Sequence, residues 1–346
     1  MDKIKLGRTN LMVTRSGFGA LPIQRISLGE AKSILQAAYD GGMNFFDTAR
    51  MYTDSEEKIG YALSGVRKNI IIATKSKATN KKELLTDLAT SLKNLKTDYI
   101  DLLQLHNPHD LPDPQDEQSS YAGLLEAKQK GLIRFIGLTN HHIKTAMCAA
   151  ETERYDTIQF PLNQLASDEE LNLIEVCKTK DIGVIAMKGL SGGLITNAAT
   201  AFAFLRQFDN VVPIWGIQRQ SELAEFLAME KNPPVLDGKM WELIHKDKEE
   251  LAGNFCRGCG YCLPCPAEIE IPTQARISLL LRRAPYQPFL SDEFREKMDR
   301  IENCIECNHC RNNCPYSLDT PNLLKRELAN YNDFYREHQA REPRIE

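Results

Sequence analysis

Eight of the ten cysteines fall in two short stretches near the C-terminus, at spacings that suit metal binding. The stretches read CRGCGYCLPCP and CIECNHCRNNCP, and their cysteines are Cys256, Cys259, Cys262 and Cys265, then Cys304, Cys307, Cys310 and Cys314. Three cysteines separated by two-residue gaps can wrap one iron-sulfur cubane, because a tight loop turns successive thiolates toward a common centre. The two stretches therefore predict two [4Fe-4S] clusters and an electron-transfer function.

Zinc is the alternative for so many thiolates, but it prefers two C-x2-C pairs with a longer gap between them. The segment resembles two-cluster ferredoxins of the helical class, in which each stretch lends one cysteine to the other cluster. That resemblance implies one cluster on Cys256, Cys259, Cys262 and Cys314, and a second on Cys304, Cys307, Cys310 and Cys265. The gap from Cys262 to Cys265 holds two residues, where the usual bacterial run has three.

Other features of the cysteine-rich region and its surroundings are less specific. IPTQARISLLLRRA, between the two stretches, predicts one helix, and another is expected after Pro321. Cys148 and Cys177 lie apart in predicted helices, so we interpret them as small buried apolar residues.

Four polar residues stand where strands are predicted to end: Asp47, Tyr52, Lys75 and His106. Each has an ordinary explanation, such as a helix cap, loop packing, a solvated lysine or a satisfied buried histidine. Together they offer an acid, a phenol, an ammonium and an imidazole, which is a set able to move protons if the fold brings them together.

The elements that would position these side chains repeat one plan from Arg15 to Ile217. Short apolar runs rich in β-branched residues alternate with longer stretches of helical spacing. Eight such runs begin near Arg15, Asn44, Asn69, Tyr99, Ile133, Thr157, Gly183 and Val211. They predict an α/β fold, a (β/α)8 TIM barrel with its active site at the C-terminal ends of the strands. An open doubly wound sheet is the alternative, but no strand is followed by G-x-G-x-x-G.

Three segments follow from this reading: a barrel over residues 1–235, a connecting helix over 236–252, and a small, mostly helical ferredoxin-like iron-sulfur domain over 253–346 with a C-terminal helix. KIKLGRTNLMVTR, ahead of the first unit, predicts a hairpin that turns at Thr9-Asn10 and plugs the bottom of the barrel. A hydrophobic content of 42% is enough for a substantial core.

Charge and hydropathy exclude several classes of partner. The formal net charge is -4 without a block of lysine and arginine, which argues against nucleic acid. No apolar run reaches the roughly 18 residues that a membrane helix needs, and the first residues do not resemble a signal peptide. We therefore expect a cytoplasmic protein without a membrane partner.

The first two thirds of the sequence resemble the aldo/keto reductase family. The resemblance rests on LGRTNLMVTRSGFGALP, FDTARMY, the lysine of IIIATK, LLQLHNP and GLTNHH. It implies the same barrel and a catalytic tetrad of Tyr52, Lys75, Asp47 and His106. Tyr52 would donate a proton to a carbonyl oxygen, with its anion stabilised by Lys75, while His106 orients the carbonyl.

The family resemblance also implies the residues that would contact NADP(H) or NAD(H): Thr139, Asn140, Gln159, Met187, Lys188, Ile217, Arg219 and Glu225. Thr139 and Asn140 would hold the carboxamide, with Gln159 beside them. Met187 stands where an aromatic residue often stacks on the nicotinamide. Arg219 is the nearby cation at the phosphate end, where Glu222 makes NADH use plausible.

The leading hypothesis is an oxidoreductase that transfers hydride between a nicotinamide cofactor and a small carbonyl or alcohol substrate, coupled to or covered by the cluster domain. A nicotinamide does not readily give single electrons to a cluster, whereas a flavin does, yet the sequence has no flavin signature. A bound flavin, or a ferredoxin or flavoprotein partner, is therefore kept open. The alternative is an electron-carrier or redox-sensing subunit whose clusters are structural or regulatory.

Overall fold

The computed structural model of the chain describes residues 1–251, 255–283 and 286–339. These residues form two compact units, Met1–Gly189 with Ala199–Ile244, and Leu190–Ala198 with His245–Glu346. The predicted limits at 235 and 252 stay predictions, and residues 252–254, 284, 285 and 340–346 lie outside the described part.

The first unit begins with the predicted hairpin, in which β1 (Lys3–Lys5) pairs antiparallel with β2 (Met12–Thr14). A short 3-10 helix and Asn10, whose φ is 54°, make the turn between them. Leu6, Leu11 and Val13 pack with Phe45, Val212 and other residues near the starts of the barrel strands. The hairpin therefore closes the bottom of the barrel, as predicted.

Eight parallel strands close into the barrel in chain order, with the last strand pairing the first. They are β3 (Gly17–Gly19), β4 (Phe45–Asp47), β5 (Ile71–Ser76), β6 (Ile100–His106), β7 (Ile133–Thr139), β8 (Thr157–Pro161), β9 (Gly183–Met187) and β10 (Val211–Gly216). β4, β5, β6 and β8 are buried along their whole length, as expected of parallel strands covered on both faces. The predicted (β/α)8 fold is confirmed, and the open sheet is wrong.

Helices follow the strands in the alternation that the sequence predicted. They are α1 (Leu28–Asp40), α2 (Ser55–Leu63), α3 (Lys81–Leu95), α4 (Ser120–Gln129), α5 (Ile143–Thr152), α6 (Asp168–Thr179), α7 (Ala198–Arg206) and α8 (Gln220–Lys231). Ser27 and Ser167 start α1 and α6 with capping boxes. Cys177 is buried in α6, but Cys148 is exposed on α5, so its prediction as a buried residue is wrong. Cys148 takes the solvent side because Ala146, Ala149 and Ala150 occupy the buried face.

The remaining helices are α9 (Gly238–Glu250), α10 (Ile271–Gln274), α11 (Ile277–Arg283), α12 (Asp292–Asp299), α13 (His309–Asn312) and α14 (Thr320–Gln339). In the second unit, α14 packs Leu324 and Tyr331 into a core that includes Ile277 and Met298. The single helix predicted between the cysteine stretches is wrong, because Arg276 N–H bonds back to Thr273 O in a tighter turn that separates α10 from α11. Within the described residues, no helix combines the length and the apolar character that crossing a membrane requires.

Candidate active site and cysteine loops

Three adjacent barrel strands carry the predicted tetrad to one rim. Asp47 is the last residue of β4, His106 is the last of β6, and Lys75 lies one residue before the end of β5. Tyr52 follows β4 in the loop that leads to α2. Because the strands are parallel, all four residues lie at the C-terminal end of the barrel, where barrel enzymes carry out their chemistry.

Lys75 and Asp47 form a buried ion pair. Lys75 Nζ lies 2.6 Å from Asp47 Oδ2 and donates a second bond, also of 2.6 Å, to Thr48 O. Lys75 is 1% exposed and Asp47 is 2% exposed. Burial raises the pKa of Asp47 and lowers the pKa of Lys75, and the opposite charge of each partner counteracts the effect on the other. The pair holds a fixed ammonium at the rim.

Tyr52 and His106 stand beside this pair. Their ring centroids lie 5.9 Å apart with the planes at 82°, and Lys75 Nζ lies 5.4 Å from the centroid of the Tyr52 ring. Burial, together with Lys75 and Lys77, holds the pKa of His106 well below its ordinary value of 6.5. The imidazole is therefore neutral at pH 7, and its buried Nδ1 has no hydrogen-bond partner within the described part of the chain.

A glutamine that the sequence analysis did not single out ties the tetrad to the predicted cofactor residues. Gln104 Nε2 lies 3.3 Å from Asp47 Oδ1 and donates to Gln159 Oε1 at 2.8 Å. Both glutamines are buried inside the barrel. The available signal was an amide side chain in the otherwise apolar strand LLQLH, because a buried amide needs a partner.

The predicted carboxamide contacts lie together at the ends of β7, β8 and β9. Thr139 Oγ1 lies 4.0 Å from Met187 Sδ, and Asn140 N–H donates to Gln159 O at 3.0 Å. Asn140 Nδ2 donates to Pro108 O at 2.9 Å, so its side chain is fixed in place. This set of polar groups is adjacent in the fold to Gln104 and, through it, to Asp47.

The residues predicted for the other end of the cofactor follow β9 and β10. Lys188 has φ 59°, and its carbonyl accepts a 3.0 Å bond from Asn163 Nδ2, a residue that sequence reasoning also missed. Ile217 is buried, and Arg219 is largely exposed. Glu225 is exposed on α8, and none of the hydrogen bonds or ion pairs of the described residues joins it to Arg219.

Glu222 occupies the start of α8. Its Oε2 accepts the backbone N–H of Gln218 at 2.9 Å and of Arg219 at 3.1 Å, and its Oε1 lies 3.1 Å from Arg219 Nε. Free N–H groups at a helix start are the usual place for a phosphate. In this chain the Glu222 carboxylate accepts the N–H groups of Gln218 and Arg219 and also pairs with the Arg219 side chain, the nearby cation that the sequence analysis named.

The two cysteine loops of the second unit share one backbone pattern. Gly258 and Gly260 have φ of 60° and 83°, and Glu306 and Asn308 have φ of 53° and 57° at the corresponding places in the second stretch. Alternation of right- and left-handed residues turns successive N–H groups toward one side and makes an anion-binding nest of the kind found at iron-sulfur sites. The Gly258 N–H, for example, donates to Cys256 Sγ at 3.4 Å. Both loops thus fit an anionic cluster.

The cysteines of the two loops also have distinct neighbours. Burial raises the pKa of the Cys256 thiol, and nearby Cys259 and Cys314 raise it further. Burial likewise raises the pKa of Cys310, with Cys304 and Cys265 as its thiol neighbours.

A small cavity lies at the second loop, and the cysteines that line it are Cys262, Cys265, Cys304, Cys307 and Cys310. Among the described residues, no three His, Cys, Asp or Glu side chains come close enough to share one metal ion.

Comparison with known proteins bears on both units. Residues 16–211, more than half of the chain, match the profile of the aldo/keto reductase family. The chain belongs to the aldo/keto reductase family. Residues 255–319 match a 4Fe-4S dicluster domain. The predicted family, its oxidoreductase class and the iron-sulfur character of the C-terminal part are confirmed.

There are also matches to individual relatives. The aldo-keto reductase YhdN of Bacillus subtilis is 30% identical over 219 residues, which are 58% of this chain and 65% of that protein. The match thus spans slightly less than two thirds of the relative's length. An aldo-keto reductase of Bacillus halodurans superposes with a TM-score of 0.63 at 22% identity, over 71% of this chain and 96% of the other. One from Klebsiella pneumoniae, in complex with NADPH, superposes with 0.62 at 21%, over 71% and 94%. At these identities, the two structures show a common fold.

Proposed function

We propose that the barrel interconverts a small carbonyl compound and its alcohol by NAD(P)(H)-dependent hydride transfer, with Tyr52 as the proton donor. The observation that carries the proposal is the convergence of Asp47, Lys75, His106 and Tyr52 at the C-terminal rim of the barrel. None of these residues alone would support it, because a buried ion pair or a buried histidine is common in stable proteins.

Each member of the tetrad has a role that its surroundings support. A bound nicotinamide dinucleotide would supply or accept the hydride. Tyr52 Oη gives its proton to the carbonyl oxygen, and Lys75 stabilises the phenolate that results. Neutral His106 offers one N–H to the same oxygen and fixes its direction. Asp47 keeps Lys75 charged and in place against the cost of burial.

The same reasoning assigns the cofactor contacts. Thr139, Asn140 and Gln159 would hold the carboxamide, and Met187 would lie against the nicotinamide ring. Lys188, Ile217, Arg219 and Glu225 remain the proposed contacts toward the adenosine end. Because Glu222 pairs with Arg219, the charge that would bind the extra phosphate of NADP(H) is offset, and we expect NADH to serve as well.

We further propose that the C-terminal domain holds two [4Fe-4S] clusters, one on Cys256, Cys259, Cys262 and Cys314 and the other on Cys304, Cys307, Cys310 and Cys265. The thiol neighbours of Cys256 and Cys310 support this exchange between the stretches. A cluster supplies one-electron transfer when bound. The ten cysteines form no disulfide, which suits a reducing compartment, so the expected location remains the cytoplasm.

The second cysteine loop would be the one that meets a redox partner. Cys307 is exposed, and Ile305 beside it is 67% exposed, whereas Cys256 and Cys262 of the first loop are buried. Electron transfer between proteins needs close approach to the cluster, so a small ferredoxin or a flavoprotein would dock here. A flavin in the partner would also convert two-electron hydride chemistry into single-electron steps.

The alternative keeps the clusters structural or regulatory, with carbonyl reduction proceeding without them. One measurement distinguishes the two proposals. NADH or NADPH is added to anaerobically purified protein, alone or with a catalytic amount of flavin, and the visible absorbance of the clusters is followed. Bleaching supports electron transfer between nicotinamide and clusters. Continued carbonyl reduction with unbleached clusters under both conditions leaves the regulatory alternative.

The tetrad is tested by Tyr52→Phe. Removal of the phenol proton should abolish carbonyl reduction while iron content and cofactor binding stay at wild-type levels. Tyr61→Phe, on the exposed face of α2, is the matched control and should turn over normally. Unchanged turnover in Tyr52→Phe would refute the assignment of the proton donor.

A further inference from the structure

Segment 190–198 follows β9 of the barrel but belongs to the cysteine-bearing unit. Arg276 Nη1 donates to Gly192 O at 3.1 Å, and Arg283 Nη1 donates to Leu194 O at 2.8 Å. Arg283 is itself fixed by Asp247 at 2.8 Å. Leu194 and Ile195 are buried. Two arginines of the second unit therefore hold the backbone of this segment.

Arg276 also lies against the first cysteine loop. A Cβ atom on Gly258 would stand 3.0 Å from Arg276 Cζ, and one on Gly192 would stand 2.9 Å from Arg276 Nη1. Both glycines have a left-handed backbone, with φ of 60° and 65°. One guanidinium is thus pressed between a loop that would wrap a cluster and the carbonyl of segment 190–198. Glycine suits both places, because it adopts a left-handed φ without steric cost and leaves room for the guanidinium.

The chain between β9 and this contact is short and held at its near end. Lys188, Ser191, Gly192 and Gly193 all have left-handed φ, and two of them are not glycine. A left-handed non-glycine residue costs about 1–2 kcal/mol, so the surrounding contacts must maintain this conformation. Asn163 does so at Lys188 O, and Arg276 does so at Gly192 O. The two contacts therefore hold carbonyl groups that lie four residues apart in the chain.

We propose that Arg276 is a positioning residue that links the redox state of the cluster at Cys256, Cys259, Cys262 and Cys314 to the conformation of segment 190–198, and through it to Lys188. The inference rests on the proposed function, since Lys188 is one of the proposed cofactor contacts. One electron added to the cluster adds one negative charge beside the guanidinium. The attraction draws Arg276 toward the cluster and weakens its bond to Gly192 O.

The coupling must act equally in both directions. If reduction of the cluster changes cofactor affinity, then cofactor binding changes the reduction potential by the same free energy. A tenfold change in the dissociation constant corresponds to about 59 mV for a one-electron couple. Such a shift is measurable by a redox titration followed by electron paramagnetic resonance.

Three variants of the full, cluster-loaded chain separate the charge of Arg276 from its geometry. Arg276→Gln removes the charge, Arg276→Lys keeps the charge without the two-sided fork, and Arg282→Gln is the matched control. Arg282 lies on α11, which begins directly after Arg276; its side chain is exposed, and its Nε donates to Ser278 O of the same helix at 3.1 Å. Gly192→Ala perturbs the contact from the other side.

The first measurement is hydrogen exchange of segment 190–198 with clusters oxidised or reduced by dithionite, without cofactor. In the wild type and in Arg282→Gln, reduction should speed exchange several-fold. In Arg276→Gln, Arg276→Lys and Gly192→Ala, exchange should be fast in both states. If the hydrogen-exchange rate of segment 190–198 in the wild type is the same with oxidised and reduced clusters, the inference is overturned, whether or not the variants fold.

The second measurement is the pair of cluster potentials with and without saturating NADP+ or NAD+. Arg276→Gln should lower one potential, because a cation that favours the reduced cluster is lost, and should remove the cofactor-induced shift. Arg276→Lys should keep most of the potential but lose the shift. Wild-type behaviour in both variants overturns the inference. Failure of either nucleotide to bind at all would instead count against the proposed function, and would leave the exchange result standing.

Discussion

Replacing Lys75 with methionine removes the buried ammonium while keeping an unbranched side chain of similar size. In the wild type, Lys75 Nζ makes 2.6 Å bonds to Asp47 and Thr48 and lies 5.4 Å from the centre of the Tyr52 ring. The substitution therefore tests two roles at once, the stabilisation of a Tyr52 phenolate and the neutralisation of Asp47. Loss of the first role should lower kcat, and loss of the second should lower the free energy of unfolding.

The catalytic effect follows from the distance between the ammonium and the ring. At an effective dielectric constant of about 20, opposite unit charges separated by the observed 5.4 Å attract by about 3 kcal/mol. Loss of that attraction to the Tyr52 phenolate should lower kcat about a hundredfold. Breaking a buried pair by removing one partner also costs about 3–5 kcal/mol of folding free energy, because Asp47 is left uncompensated.

The assay is kcat as a function of pH for alcohol oxidation, in which Tyr52 must be ionised, alongside urea unfolding. For Lys75→Met, the acid limb of the profile should move to higher pH, because the cation that stabilises the Tyr52 phenolate is lost. Adding Asp47→Asn should restore much of the stability but none of the rate. Lys58→Met is the control, because Lys58 is a buried lysine that donates to Ile23 O at 3.0 Å, outside the tetrad, and its loss should lower stability alone. A profile for Lys75→Met that coincides with the wild type would refute the reasoning.

Three further predictions concern pH, cofactor choice and cluster ligands. Burial holds the pKa of His141 well below 6.5, so the unfolded chain takes up a proton at this imidazole at a higher pH than the folded chain does. The free energy of unfolding should therefore fall as pH drops below about 6.5. In urea unfolding, His141→Gln should reduce the slope of that free energy against pH by up to about 1.4 kcal/mol per pH unit. Glu222→Gln should raise kcat/KM for NADPH relative to NADH about fivefold, since a carboxylate about 4 Å from a phosphate costs about 1 kcal/mol in water; an unchanged ratio would remove Glu222 from cofactor choice. Cys265→Ser combined with Cys307→Ser removes two ligands of the same proposed cluster and should leave half of the iron. Cys265→Ser combined with Cys259→Ser removes one ligand from each cluster and should leave almost none. The reverse result in an iron assay would mean that Cys265 binds the first cluster.

The barrel and the tetrad could be read from the sequence because their signals are local. Alternating strand and helix patterns fix the eight units, and a residue at the end of a parallel strand must lie on the catalytic rim. Asp47 and His106 end their strands and Lys75 lies one residue before the end of β5, so their placement needed no knowledge of long-range packing. The cysteine stretches were equally readable, because their spacing is itself the geometric requirement.

The features that the sequence did not reveal depend on contacts between distant residues. Gln104 is significant because it contacts Asp47 and Gln159, which lie on β4 and β8, each two strands away from β6 in the barrel, and nothing near Gln104 in the chain indicates those partners. The break between α10 and α11 lies in a stretch with uniform helical spacing, so propensity alone favours one helix. The reach of Arg276 to Gly192 crosses 84 positions of the chain. Side-chain contacts of this kind follow from the completed fold.

Segment 190–198 has a consequence for how the protein is made. The chain passes from the barrel to the cysteine-bearing unit, returns to the barrel for β10 and α8, and leaves it again after Ile244. During synthesis, the segment leaves the ribosome well before Arg276 and Arg283 exist to hold it, since domains form from the N-terminal end onward. A barrel truncated at residue 244 would keep the strands and the tetrad but would lack these partners. Ordering of segment 190–198 therefore waits for synthesis of the C-terminal part of its own unit.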